Sequence, residues 1–402
     1  MRFYNQKVVM YATLIVILIM ISEVGSYVGL MLGKQWFGDV RRLTTIYEEQ
    51  TDRILQLLDE SGESHREVLD PKLGWRYRPG YRKGDDVINS QGLRNTRTYS
   101  IRPKAGILRI SAFGDSFVYG NEVGTPDAWP SQMEQACTKL EVLNYGIGGY
   151  GVDQAYLRYE SEGALYAPDI VLIGFVSDDM RRLVNVYRRF SDDREWPLFK
   201  PRFVLQDSEL HLVPNPFPHV SDYLKIIDNP SLVTRVGNND EWYQPMIYEN
   251  PFYDLSSTIR LSLAVGIRAQ RKYFSHNGIW ENERLNAHSD AFKIQVSLFK
   301  KFADSVYYQH AQPLVVLFPA KDDILRARAG KSTTYELLAV ELAHLQIPYI
   351  DVIEGFAEKS QVPVGNWFMP GGHYSPEGNQ IVAEKLLNLL ESRVPQCASP
   401  YS

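Results

Sequence analysis

Cysteine is scarce. Cys137 and Cys397 are the two in 402 residues, too few for a disulfide framework or a cysteine-based metal site. The H-E-x-x-H spacing, a calcium loop and the phosphate-cradling G-x-x-x-x-G-K-[ST] are also missing, so the sequence implies no metal and no cofactor. Neither charge sign dominates: 43 Lys and Arg stand against 48 Asp and Glu, a formal net charge of −5. That balance gives no electrostatic reason to expect nucleic acid as a partner. Internal repeats and low-complexity tracts are absent, and 44% hydrophobic with 23% charged residues is the composition of a folded chain.

One long apolar run is present, at residues 8–32, with a single charged interruption at Glu23. It is long enough to span a bilayer, which takes about 20 residues. No A-x-A-like site follows it, so an uncleaved signal anchor fits better than a removable signal peptide. Arg2 and Lys7 precede the run while Lys34, Arg41 and Arg42 follow it, so charge does not decide the orientation. A single N-terminal anchor ahead of a large body places that body outside the cytoplasm. The expected organisation is an anchor over 1–35, a stalk helix and extended segment over 36–105, and a main domain over 106–395. Oligomeric state is left open.

From residue 107 the pattern alternates. Apolar runs at 107–113, 142–147, 170–176, 314–318 and 349–353 read as strands, with helical stretches at 126–140, 154–162, 291–310, 335–345 and 376–390. Continuous apolar strands separated by helices predict an α/β fold, a flavodoxin-like parallel sheet covered on both faces. The gap between the third strand and the next helix is too long for a connection, so an insertion is expected at about 190–282. It is rich in aromatics, which serve either as a small core of its own or as a wall for a ligand.

The chemistry is carried by two loops. Gly114-Asp115-Ser116 ends the first strand, where doubly wound sheets hold their ligands, and a serine hydroxyl needs a base to become a nucleophile. His373, in Gly371-Gly372-His373-Tyr374-Ser375-Pro376, lies just before the last helix, and the fold brings it to the same sheet edge. With Asn144-Tyr145-Gly146-Ile147-Gly148-Gly149, these blocks resemble the GDSL/SGNH hydrolase superfamily over roughly 108–390, the insertion apart. The upstream L-G-W and I-N-S-Q-G-L-R elements are similar to those of bacterial members with an N-terminal extension.

The resemblance implies Ser116 as nucleophile, His373 as base, Gly149 as an oxyanion donor and Asp178 at the position of the family's amide. Two blocks depart from the pattern. Ser177-Asp178-Asp179 replaces the usual Asn-Asp, and Pro370 stands where the aspartate of D-x-x-H belongs. Asp322, Asp323 and Glu377 are the nearest carboxylates by topology to orient His373. The activity implied is that of a serine esterase or acylhydrolase acting on ester-linked acyl groups, with an envelope or exported polysaccharide as acylated substrate. An O-acyltransferase on a glycan and a non-catalytic partner in a membrane polysaccharide assembly remain alternatives. In such a sheet the helices preceding Cys137 and Cys397 cover one face in parallel, which predicts a disulfide between them.

Overall fold

The computed structural model describes residues 2–33, 48–59, 65–191, 195–250, 252–253, 255–273 and 278–391. The chain divides into two compact units, Leu55–Val186 with Leu198–Val220 and Asn277–Ser402, and Met1–Ile54 with Tyr187–Pro197 and Ser221–His276.

The first unit is built on five strands: β1 (Leu108–Phe113), β2 (Leu140–Asn144), β3 (Ile170–Phe175), β4 (Gln312–Leu317) and β5 (Tyr349–Asp351). All are parallel and their order across the sheet is β2-β1-β3-β4-β5, the flavodoxin-like arrangement that the alternating pattern predicts. All six residues of β3 are buried, as a central strand covered on both faces requires. The register aligns Ala112 with Asn144, Phe113 with Ile173, and Leu317 with both Phe175 and Asp351. The carboxyl ends of all five strands therefore face one edge.

Helices α3 (Trp129–Ala136), α4 (Val152–Glu162), α7 (Asp290–Tyr308) and α9 (Pro376–Leu390) follow the sequence pattern to within a few residues, α3 excepted. The helix expected from Pro126 starts instead at Trp129. Thr125–Asp127 is a separate 3-10 turn and Ala128 is extended, so the Trp129 N–H reaches Asn379 Oδ1 on α9 at 3.1 Å. Cys137 caps α3, is 2% exposed, and is disulfide-bonded. Its expected partner, Cys397, lies outside the described residues. Residues 66–99 form two short hairpins and tight turns, Glu67–Asp70 with Gly74–Tyr77 and Arg82–Lys83 with Asp86–Val87.

In the second unit α1 (Arg2–Leu32) contains a stretch, Gln6–Leu32, long and apolar enough to cross a membrane and not buried in the protein. Its C-terminal part packs on α6 (Ser257–Tyr273). The aromatics of this unit make a small core: Phe190 lies 5.0 Å from Tyr187, 5.1 Å from Tyr243 and 4.6 Å from Tyr248, ring centre to ring centre, and Tyr223 is fully buried. Of the expected stalk, residues 36–47 lie outside the described set. The helix that follows, Glu48–Leu58, buries Ile54 and Leu57.

Candidate active site

Ser116 opens a one-turn helix, α2 (Ser116–Tyr119), at the carboxyl end of β1. The preceding Asp115 supplies its cap, accepting the Phe117 N–H at 2.8 Å, while the Gly120 and Asn121 N–H groups return to the Ser116 carbonyl. The turn is locked against the loop after β2 by Asn144, whose side-chain amide donates to the Val118 and Tyr119 carbonyls at 3.0 and 3.2 Å. Gly146 has to be glycine there, because a Cβ would stand 2.2 Å from the Tyr119 backbone nitrogen. Gly149 follows two residues after Ile147 in the same loop, with φ +81. The upstream hairpin steadies this loop from outside: Tyr77 Oη accepts the Gly148 N–H at 2.7 Å and Trp75 Nε1 donates to the Gly148 carbonyl at 3.2 Å.

His373 comes to the same edge from the loop before α9. Its ring lies 5.4 Å from that of Phe117, the residue next to Ser116, and Phe117 also packs edge-on against Tyr374. Ser116 is 3% exposed and its hydroxyl donates to Asp115 Oδ2 at 3.3 Å rather than to the imidazole. Ligand-free sites often hold such pairs loosely.

The group on the other side of His373 is Glu122. Its Oε2 lies 2.7 Å from His373 Nδ1 and also accepts the His373 backbone N–H at 3.1 Å, while Oε1 accepts the Gly371 N–H at 2.8 Å. Partial burial pushes this carboxyl upward, but the bonds from the imidazole and the two backbone donors outweigh it and hold it below the usual carboxylate range. None of the three carboxylates that topology offered bonds the histidine. Asp323 accepts from Thr334 and the Ala320 N–H, Glu377 accepts from Ser375, and Asp322 makes no bond to the histidine. Glu122 has φ +69, an uncommon conformation for a residue with a side chain. Arg94 maintains it, donating from its buried guanidinium to the carbonyls of Tyr119, Gly120 and Val123 around the turn.

Asp178 stands at the rim, half exposed, with Arg182 Nη2 at 3.1 Å and Arg181 Nη1 at 3.6 Å. Arg182 Nη1 reaches deeper, to Asp115 Oδ2 at 3.1 Å, Asp179 Oδ1 at 2.7 Å and the Tyr150 carbonyl at 3.1 Å. Asp179 is buried, and burial together with the neighbouring Asp115 drives its carboxyl well above the usual range, against the pull of Arg182.

No family model and no curated protein matches the chain. Solved structures do. It is similar to a member of the lipolytic protein G-D-S-L family from Veillonella parvula at 14% identity, over 70% of this chain and 97% of that one, with a TM-score of 0.32. The lipase/acylhydrolase from Enterococcus faecalis aligns at 12% identity over 71% and 97%, with a TM-score of 0.33. A two-domain esterase active on acetylated mannans aligns at 12% over 74% of this chain and 52% of that one, with a TM-score of 0.35. The strand order and the loops that the four blocks occupy are on this chain itself. The parallel five-stranded order is the flavodoxin-like one that the resemblance to GDSL/SGNH hydrolases implies.

Within this parallel sheet, the loops after β1 and β2 and the loop before α9 bring Ser116, Gly149 and His373 to one edge, and the loop after β3 brings Asp178. The motif blocks do not include Glu122, which meets His373 Nδ1 from a loop 251 positions earlier in the chain. Its sequence signal is an acidic residue six positions after Ser116 in the Gly120-Asn121-Glu122-Val123-Gly124 turn. Arg94, Arg182 and Tyr77, which hold the loops in place, carry no motif of their own.

Proposed function

We propose that the chain is a serine hydrolase of ester-linked acyl groups, working through Ser116, His373 and Glu122. The observation that carries this reading is the 2.7 Å contact between Glu122 and His373 Nδ1, on a histidine whose ring adjoins the residue after Ser116. Glu122 fixes the Nδ1–H tautomer, leaving Nε2 with its lone pair toward the serine. In the reaction the Ser116 hydroxyl rotates from Asp115 to Nε2, Oγ attacks the ester carbonyl, and Nε2 takes the proton. The imidazolium then protonates the departing alcohol, and water repeats the sequence on the acyl-enzyme. Backbone N–H groups of Ser116 and Gly149 hold the oxyanion. Asp178, acceptor-only when ionised, cannot donate to it, and Arg182 and Arg181 offset its charge.

The substrate we infer is an acylated carbohydrate of the envelope or an exported polysaccharide, met by a body held outside the cytoplasm through residues 8–32. The apolar, uncovered helix α1 supports the anchor. The test is a fluorophosphonate probe with the full chain in detergent, followed by hydrolysis of a short-chain aryl ester. Wild type should label and turn over, and Ser116→Ala should do neither while keeping its melting temperature. An alanine variant that retains the wild-type rate would refute the assignment.

A further inference from the structure

Glu23 is the one charged residue in the apolar run of α1, and it is engaged. One carboxylate oxygen accepts the Ser256 hydroxyl, and the other accepts the Ser257 N–H at 2.7 Å, at the first turn of α6. Beside it the hydroxyls of Ser22 and Thr258 meet at 3.2 Å. From there the two helices stay together along a stripe of Glu23, Ser26, Gly29 and Leu30, each only partly exposed, with Leu261 seated over Gly29. Residues 6–22 are exposed all round. A carboxylate in an apolar helix is costly unless its oxygens find donors, and the start of α6 supplies them.

The length of the helix sets the depth of this contact. Lys7 is the last charged residue before the run, and 16 residues separate it from Glu23. At about 1.5 Å per residue, Glu23 stands roughly 24 Å from Lys7, some 6 Å short of the far side of a hydrocarbon layer about 30 Å thick. Tilting the helix sinks Glu23 further. Ser256 and Ser257, bonded to it, share that depth. Leu255 directly precedes them, and Phe252 is tied to the same turn, its carbonyl accepting the N–H groups of Leu255 and Ser256 at 3.2 and 3.1 Å. Phe252 is 60% exposed and Leu255 77%, two large apolar side chains presented outward.

We propose that this turn is a second membrane contact: Phe252 and Leu255 insert at the headgroup–acyl boundary beside the point where α1 leaves the bilayer. The occupant of the patch is lipid, because the turn that presents the two side chains leads directly into Ser256 and Ser257, which bond Glu23 within the apolar run of α1. A segment that also carries Asp254 in its sequence belongs at that boundary rather than at the midplane. α6 is then held to α1 through Glu23 and to the lipid through the turn before it, and the arrangement does not depend on which end of α1 faces the cytoplasm.

The inference rests on the reading of α1 as an anchor, and one experiment separates the two. Nitroxide labels are placed on the full chain at Phe252→Cys, at Leu255→Cys and, within the run, at Leu18→Cys. Each variant is reconstituted in nanodiscs of phosphatidylcholine and phosphatidylglycerol, and power saturation reads access to oxygen against access to a water-soluble nickel chelate. The expected result is that oxygen outcompetes the chelate at all three positions, most strongly at Leu18. Chelate-dominated labels at 252 and 255, with an oxygen-dominated label at 18, overturn the second contact and leave the anchor standing. Low access to both reagents at 252 and 255 means that protein covers the patch, and also overturns the proposal. A chelate-dominated label at 18 removes the anchor and this inference with it.

Discussion

Replacing Glu122 by glutamine keeps its size and leaves an oxygen for the Gly371 or His373 N–H, but removes the charge beside the imidazole. In the wild type the carboxylate makes one bond to Nδ1 at 2.7 Å and is about a quarter exposed, as is the histidine, at 26% and 23%. Water therefore screens the pair, and a Coulomb energy for a dry interior does not apply. The relevant scale is a hydrogen bond to a charged group, about 1.5–3 kcal/mol. At about 1.4 kcal/mol per decade, that is a loss of roughly 10- to 150-fold in kcat/KM. The loss should fall on kcat with KM little changed, since the imidazolium forms only during reaction. Glu122→Asp, one methylene shorter, should lose a similar amount, because it cannot reach Nδ1 from the same backbone without opening the turn. Ester hydrolysis under pseudo-first-order conditions measures both constants. If Glu122→Gln keeps its rate to within twofold while Ser116→Ala is dead, Glu122 does not position the base and the mechanism must find another orienting group.

Two other substitutions test different parts of the molecule. Asp178→Asn should raise kcat on an aryl ester by a few-fold at most, because Arg182 and Arg181 already offset the charge and exposed pairs are worth about 0.2–1 kcal/mol; a tenfold fall would give Asp178 a positive role in the reaction. Asp351 is pushed up to about 6 by burial, despite donors from the Ile353 N–H and the Tyr335 hydroxyl. A carboxyl raised in the folded state favours folding while protonated, and that contribution is lost as pH rises from its unfolded value through 6. Asp351→Asn, which keeps an acceptor and cannot ionise, should therefore melt higher than wild type near pH 7.5 and nearly level with it near pH 4.5. Scanning calorimetry showing an equal shift at both values would remove ionisation as the cause.

The fold was legible in the sequence because a buried parallel strand has to be apolar throughout. The 170–176 run and the strand Ile170–Phe175 are the same signal read twice. The loops that bear Ser116 and His373 were legible because glycines crowd around both, and Gly146 has a steric reason that leaves a trace in the pattern. Glu122 was not. A carboxylate that contacts a histidine is recognised by spacing when the two share a loop, and here they lie 251 positions apart. What joins them is the parallel sheet, which returns the last loop to the edge of the first. The long apolar helix was legible from length and composition, but the contacts of Glu23 were hidden for the same reason, its partners being 233 and 234 positions away. The start of α3 was misread because Pro126 and Pro130 each mark the first turn of a helix, and only the demand of Asn379 for the Trp129 N–H selects the second.

The clamp formed by Arg94 and the Trp75–Tyr77 hairpin changes what counts as the smallest part of this protein able to work. Drawn by its strands, the α/β core would begin near Leu108. Cut there, the turn bearing Glu122 would lose the guanidinium that gathers its carbonyls, and the Gly148 peptide would lose partners for both its N–H and its C=O. A cut at Asp70 is also too late, since Arg66 lies over the rings of Tyr77 and Tyr119 at 4.4 and 5.1 Å and reaches Asp86 at 3.1 Å. The upstream residues are a collar on the loops that bear Glu122 and Gly148, and a fragment meant to keep those loops in place has to begin ahead of His65.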